Sequence, residues 1–136
     1  MSVFAGSEID HVGIGVSDIL RAKAFYETVL RPLGITLMRS IEADPPCPAP
    51  RRLGFGSNGK PFLWLHAATV PSQETHIALI AYSREAVDAF HAAGMAAGGR
   101  DNGAPGIRAR YHPSYYAAYL LTPDGVNLEA VCQIPS

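Results

Sequence analysis

Four pairs of residues in this chain share one spacing, which indicates that a single structural unit is written twice. The pairs, each separated by sixty-five positions, are His11 and His76, Phe25 and Phe90, Gly34 and Gly99, and Trp64 and Glu129. Such a repeat predicts two similar modules that must pack together to cover their apolar faces. It also gives two histidines equivalent positions and sets one carboxylate at the end of the second copy.

Composition limits the classes of protein to which the chain can belong. Its 136 residues are 48% hydrophobic and 17% charged, with a formal net charge of −1. These values predict one globular domain over 1–136 and give no electrostatic reason to expect a nucleic-acid or membrane partner. We expect a cytoplasmic protein, because the N-terminus lacks the pattern of a secretory signal and two distant cysteines do not suggest a disulfide.

The first module, about 7–69, is predicted to run strand, helix, strand, strand, strand. Ser17 and Asp18 supply a helix N-cap, and Asn58-Gly59 is a strong hairpin signal. The stretch 42–50 holds four prolines and is predicted to be a surface flap. The predicted strands cover residues 9–16, 35–41, 53–56 and 61–66.

The second module, about 74–134, is predicted to repeat this order after a short linker at 70–74. Ser83 is the expected helix cap, and the stretch 97–106 is expected to be a glycine-rich loop. The predicted strands cover residues 75–82, 107–111, 115–121 and 126–132. The chain is therefore expected to be α+β, with two βαβββ modules related by pseudo-twofold symmetry.

Pseudo-twofold symmetry would bring residues at matching positions to face each other. His11 and His76 would meet from the first strands, and Glu129 would join them from the last strand, with Trp64 opposite it. Two histidines and one carboxylate with open positions form a known type of site for Fe(II) and related ions. A salt bridge or an exposed strand face would also explain Glu129, so those alternatives stay open.

A second unusual stretch, 108–119, holds two arginines, four tyrosines and one histidine. Hydroxyl and imidazole groups beside a metal could move substrate protons, although tyrosines are also ordinary strand residues. The catalytic candidates are Tyr119, Tyr116 and His112. The substrate-binding candidates are Trp64, Tyr111, Tyr115 and Arg110, and His66 is an outside candidate for an extra ligand.

The motifs around the three proposed ligands resemble those of the vicinal oxygen chelate superfamily. These motifs are Asp-His-Val-Gly-Ile-Gly-Val-Ser-Asp around His11, Thr-His-Ile-Ala-Leu around His76, and Pro-Asp-Gly-Val-Asn-Leu-Glu ending at Glu129. The superfamily includes glyoxalase I, fosfomycin-resistance enzymes, extradiol dioxygenases and bleomycin-resistance proteins. The resemblance implies curved mixed sheets forming a metal-binding cleft, usually in a homodimer, with these three residues as ligands. Trp64 falls where glyoxalase I has a carboxylate ligand, which argues against lactoylglutathione lyase chemistry.

The leading hypothesis is a metal-dependent enzyme whose small-molecule substrate chelates the ion through adjacent oxygens. Fe, Mn, Zn and Ni are not distinguished, and lyase or isomerase, dioxygenase and transferase chemistry all remain open. The competing hypothesis is a metal-free protein that binds or sequesters a small molecule, as in the bleomycin-resistance branch. Whether the modules pair within one chain or exchange between subunits is also left open.

Overall fold

The computed structural model describes residues 6–45, 47 and 49–136, and these residues form two modules of one design. The fold class is confirmed: each module is βαβββ, and the protein is α+β. The first module contains β1 (Val12–Val16), α1 (Ile19–Leu30), a short 3-10 turn (Arg31–Leu33), β2 (Thr36–Glu42), β3 (Pro50–Ser57) and β4 (Lys60–Ala67). The second contains β5 (His76–Ile80), α2 (Arg84–Ala96), β6 (Arg100–Ile107), β7 (Tyr116–Leu121) and β8 (Asn127–Cys132).

The register of the two sheets reproduces the spacing of the sequence repeat. The strand orders are β1-β4-β3-β2 and β5-β8-β7-β6, so the first and last strands of each module lie side by side in parallel. Gly13 pairs with Trp64 in the first sheet, and Ala78 pairs with Glu129 in the second. Ala78 and Glu129 lie sixty-five positions after Gly13 and Trp64, respectively, so Trp64 and Glu129 are structurally equivalent.

Each helix packs on its own sheet, and the two helices also contact each other. Phe25 of α1 and Phe90 of α2 are both buried, in a hydrophobic core that draws on both modules. Ser17, just before α1, adds a polar tie, because its backbone N–H and its hydroxyl both donate to the carboxylate of Asp124. The main contacts between the modules therefore run through the helices.

Side-chain caps fix where both helices begin. Asp18 accepts a hydrogen bond from the backbone N–H of Arg21, and Ser83 accepts one from that of Ala86. Each cap satisfies one of the backbone donors that an α-helix leaves unpaired in its first turn.

Removing the cap of α2 is expected to destabilise the protein measurably. The change Ser83→Ala should lower the free energy of unfolding by about 1 kcal/mol, because the Ala86 N–H loses its acceptor. Urea denaturation followed by circular dichroism measures the change. Ser40→Ala is the matched control, since within the described part of the chain the Ser40 hydroxyl donates only to the exposed side chain of Glu42. Equal stability of the two variants would show that the cap contributes nothing.

One predicted element was wrong. The stretch 97–106 was expected to be a loop followed by a strand at 107–111, but β6 occupies Arg100–Ile107 and residues 108–114 form turns. The glycines that suggested a loop instead lie in a strand whose pairing with β7 is irregular. Gly103 has a φ of 152°, and a Cβ there would lie 2.7 Å from the ring of Tyr119. These glycines therefore permit irregular pairing and a close approach to an aromatic ring.

For the other strands, most of the predicted ends are confirmed to within one or two residues. Asn58 and Gly59 both have positive φ, 53° and 76°, as the predicted two-residue hairpin requires. The predicted flap falls between β2 and β3, and Pro46 and Pro48 within it lie outside the described residues. No helix in the described part of the chain is both long and apolar enough to cross a membrane.

Candidate functional site

Alternation along β4 and β8 determines which side chains can form a site. Leu63 and Leu65 are buried in the core, so Trp64 between them lies on the opposite face of its sheet. Leu128 and Ala130 are likewise buried in the core, and Glu129 between them lies on the other face. We call these two surfaces the helix-free faces, since the helices pack on the core side.

Glu129 is the least expected residue on either face. Its side chain is only 1% exposed, and an isolated buried carboxylate is costly. Its Oε1 lies 2.7 Å from Nε2 of His76, and its Oε2 accepts a 2.5 Å hydrogen bond from the hydroxyl of Tyr115. Both carboxylate oxygens are thus held in place, which makes Glu129, His76 and Tyr115 a well-ordered polar cluster.

Tyr115 of this cluster and the neighbouring Tyr119 both remain protonated well above neutral pH, because the pKa of each is raised. Burial, followed by the hydrogen bond to Glu129, raises the pKa of Tyr115. Burial and the negative charge of Glu129 also raise the pKa of Tyr119. The Tyr119 ring centre lies 6.2 Å from that of His76 and 5.4 Å from the guanidinium carbon of Arg108. The hydroxyls can therefore act as hydrogen-bond donors and not as bases.

His11 has a separate set of partners. Its Nδ1 lies 2.6 Å from Oδ2 of Asp10, and Oδ1 of Asp10 lies 2.6 Å from Nζ of Lys60. The hydrogen bond with His11, and then that with Lys60, lowers the pKa of Asp10. A carboxylate bonded to one ring nitrogen commonly orients a metal-binding histidine through the other, here Nε2.

His11 does not join His76 and Glu129 within one chain. Among residues 6–45, 47 and 49–136, no three His, Cys, Asp or Glu side chains are placed to hold one metal ion. The cause is the packing of the modules, which meet mainly through helices and not through the helix-free faces. The two histidines are equivalent in the repeat, but they are not close to each other in the folded chain.

His11 instead opens onto a cavity of about 590 Å³ on the helix-free face of the first sheet. We call it the Trp64 cavity. Its lining residues are Asp10, His11, Gly13, Ile41, Arg52, Lys60, Pro61, Trp64 and His66.

The other candidate residues of the stretch 108–119 lie in different places in the structure. Tyr116 lies on the helix side of its sheet, where its hydroxyl donates to Asp88 of α2 at 2.6 Å, so it is apart from Glu129. His112 lies in a turn, and its Nδ1 accepts from the backbone N–H of Ser114. Tyr111 packs at 5.1 Å from the Tyr115 ring, and Arg110 donates to the Tyr111 hydroxyl.

Sequence reasoning missed Asp10, Lys60 and Arg52. The Asn58-Gly59 hairpin gave no signal for Arg52, because an unbroken hairpin would pair His66 with Arg51, whereas a register shift between Phe55 and Gly56 pairs it with Arg52. A reading of the sequence without that shift would have placed Arg51 on the face of Trp64 in place of Arg52. Nothing in the sequence pattern indicated that Lys60 would reach back to Asp10.

The donor atoms in the second module fit a divalent metal ion in part. Imidazole and carboxylate suit Fe, Mn, Zn and Ni, and two ligands of one ion have donor atoms about 3 Å apart. Nε2 of His76 and Oε1 of Glu129 are 2.7 Å apart, so a slight increase in this distance would let both atoms bind the same ion. Tyr115 holds the other carboxylate oxygen, which leaves Oε1 as the ligand atom. Among the described residues, no third His, Cys, Asp or Glu lies close enough to join them on one ion.

Comparison with known proteins agrees with the fold. A family model described as Glyoxalase/Bleomycin resistance protein/Dioxygenase superfamily matches residues 8–130. No curated protein matches the chain. A solved glyoxalase/bleomycin resistance protein from Albidiferax ferrireducens T118 is 29% identical, with a TM-score of 0.75 over 95% of this chain and 100% of that one.

Two more distant structures share the fold. A glyoxalase/bleomycin resistance protein/dioxygenase family enzyme from Burkholderia phytofirmans PsJN is 21% identical, with a TM-score of 0.69 over 94% of this chain and 100% of that one. Glyoxalase I from Zea mays is 20% identical, with a TM-score of 0.65. That alignment covers 94% of this chain but 45% of the maize chain.

Proposed function

From its membership of the Glyoxalase/Bleomycin resistance protein/Dioxygenase superfamily, we propose that this chain is a metal-dependent enzyme acting on a small molecule with adjacent oxygens. The observation that carries the proposal is Glu129, a carboxylate 1% exposed on a helix-free face and bonded to His76 and Tyr115. A divalent ion there would act as a Lewis acid toward substrate oxygens. Fe, Mn, Zn and Ni all suit these donors.

The site is proposed to be completed by a second copy of the chain, as a homodimer. His76 and Glu129 lie on one helix-free face and His11 on the other, and the contacts within the chain do not bring these faces together. Two copies related by a twofold axis would place His11 of each copy against His76 and Glu129 of the other. Asp10 would then orient His11 from outside the site.

The chain's own residues would divide the work around the bound substrate. Tyr119 lies on the face beside Glu129 and presents a hydroxyl that stays protonated, so it can donate a hydrogen bond to a substrate oxygen. Tyr115 fixes the orientation of the Glu129 carboxylate. Tyr111 and Arg110, which contact this group from the adjacent turn, would form part of the substrate wall.

Mixed variants test the shared site directly. Wild-type protein, dialysed after loading with Mn, Fe, Zn or Ni, is expected to hold about one ion per chain, since a symmetric dimer has two equivalent sites. The single variants His11→Ala and His76→Ala should each lose the ion. A 1:1 mixture refolded together should recover about a quarter of the wild-type metal content, because half of the dimers are mixed and each mixed dimer has one intact site.

Elemental analysis of the purified proteins measures this outcome. If the mixture recovers nothing while the wild type binds metal, the site is formed within one chain or by other ligands. If the wild type itself holds no metal, the metal-dependent enzyme is ruled out.

A second function is favoured by one specific observation. His76 and Tyr115 each contact one oxygen of Glu129, so protein groups alone satisfy the buried carboxylate as a structural network. The Trp64 cavity would then serve a metal-free protein that binds or sequesters a small molecule. Such a protein would keep its ligand affinity after exhaustive treatment with a chelator.

A further inference from the structure

The geometry points to a binding site for a planar aromatic anion in the Trp64 cavity, with Arg52 as its charged contact. This inference rests on the second proposed function, in which the Trp64 cavity binds a small molecule, and it does not need a metal. The cavity, about 590 Å³, falls within the roughly 300–1,000 Å³ that small-molecule sites occupy.

Two glycines shape the aromatic wall of the cavity. Gly13 and Gly54 are the register partners of Trp64 on its two sides. The six-membered ring of the indole lies against Gly54, where an added Cβ would approach ring carbons to 2.8–3.0 Å. The space above Gly13 is open, with no heavy atom within 4 Å of the position a Cβ would take. The indole therefore packs over Gly54 and leaves the backbone at Gly13 uncovered. We call this uncovered backbone the open floor.

The equivalent positions in the second module are filled differently. Glu129 pairs with Ala78 and with Tyr119, so a side chain stands where the first module has glycine on each side. The open floor is thus a feature of the Trp64 cavity and not a general property of this sheet design. A flat ring resting on the floor would contact the indole, as aromatic pairs commonly do.

The charge on the cavity wall favours an anion. Lys60 is matched by Asp10 at 2.6 Å, so these two charges offset each other. Arg52 lies across from His66 in the sheet register, on the same side as Trp64, and takes part in none of the ion pairs formed by the described residues. A guanidinium can bind a carboxylate through two parallel hydrogen bonds. His66, exposed beside it, adds a further polar contact.

Fluorescence provides a direct test, because Trp64 is the single tryptophan of the chain. The probe is 4-nitrobenzoate, a planar carboxylate whose nitro group quenches indole emission, added to chelator-treated protein. Saturable quenching is expected, and neutral 4-nitrobenzyl alcohol should bind at least about tenfold more weakly, since a charged hydrogen bond is lost. Cyclohexanecarboxylate, which is charged but not planar, should compete poorly with the probe.

Neighbouring arginines supply a matched pair of variants. Arg52→Gln should weaken 4-nitrobenzoate binding by about tenfold, whereas Arg51→Gln, which is not among the residues that line the cavity, should change it by less than about twofold. Both side chains are exposed, so both variants should fold, and circular dichroism checks this. Linear quenching without saturation, equal binding of the alcohol, or equal effects of the two variants would each overturn the inference. Because the measurement uses metal-free protein, its failure is distinct from failure of the metal site.

Discussion

Glu129→Gln is expected to reduce metal affinity by more than about a hundredfold, since loss of a residue that only supports a ligand already costs about 10–100-fold. Glutamine keeps the size of the side chain and an acceptor for the Tyr115 hydroxyl, but it removes the negative charge beside His76. A neutral amide is a much weaker ligand for Fe, Mn, Zn or Ni than a carboxylate. Isothermal titration of metal into the stripped protein measures the change.

Glu27→Gln provides the control for the loss of one negative charge. Glu27 lies on α1 and pairs with Lys23 at 2.9 Å, on the surface and away from the helix-free faces. This variant should bind metal as the wild type does. If Glu129→Gln also binds metal with unchanged affinity, Glu129 is not a ligand and its role is confined to the network with His76 and Tyr115.

Phe90→Ala is expected to lower the free energy of unfolding by about 3–5 kcal/mol, because it empties a large volume in the core. Phe90 is fully buried on α2, in the core to which both modules contribute. For a chain of this length the melting temperature should fall by roughly 10–20 °C. Urea denaturation and a thermal melt measure the two quantities.

Met95→Ala, on the same helix, is the control that shows whether the loss of stability comes from core packing or from helix propensity. Met95 is 43% exposed, so its truncation should cost less than about 1 kcal/mol. The Phe90→Ala protein should still unfold in a single transition, because the core is continuous between the modules. Two separate transitions would instead show that the modules unfold independently.

The repeat in the sequence predicted much of the fold, because equal spacing is carried directly into strand register. Gly13 faces Trp64 as Ala78 faces Glu129, and the caps at Asp18 and Ser83 begin the two helices as expected. The error at β6 has a physical cause. Glycine weakens a strand on its own, yet here it permits close approach to Tyr119, and that tertiary contact is invisible in a local pattern.

The candidate site was less accessible to sequence reasoning. Alternation places Glu129 on the face away from the core, but it does not reveal that Tyr115 and His76 would close over it. Nor does periodicity indicate how two modules dock, which decides whether His11 meets the other two residues in the same chain. Tyr115 and Tyr116 illustrate the sensitivity to register: they are adjacent in sequence, but the first donates to Glu129 and the second to Asp88 of α2.

Trp64 and Glu129 stand at the same place in two copies of one design, yet one is apolar and aromatic and the other acidic. The two modules therefore share one design but carry different chemistry at the same position. Under the proposed function, substitutions around the indole would change which small molecules bind while Glu129 is left intact, so selectivity and reactivity could be varied on separate sheets.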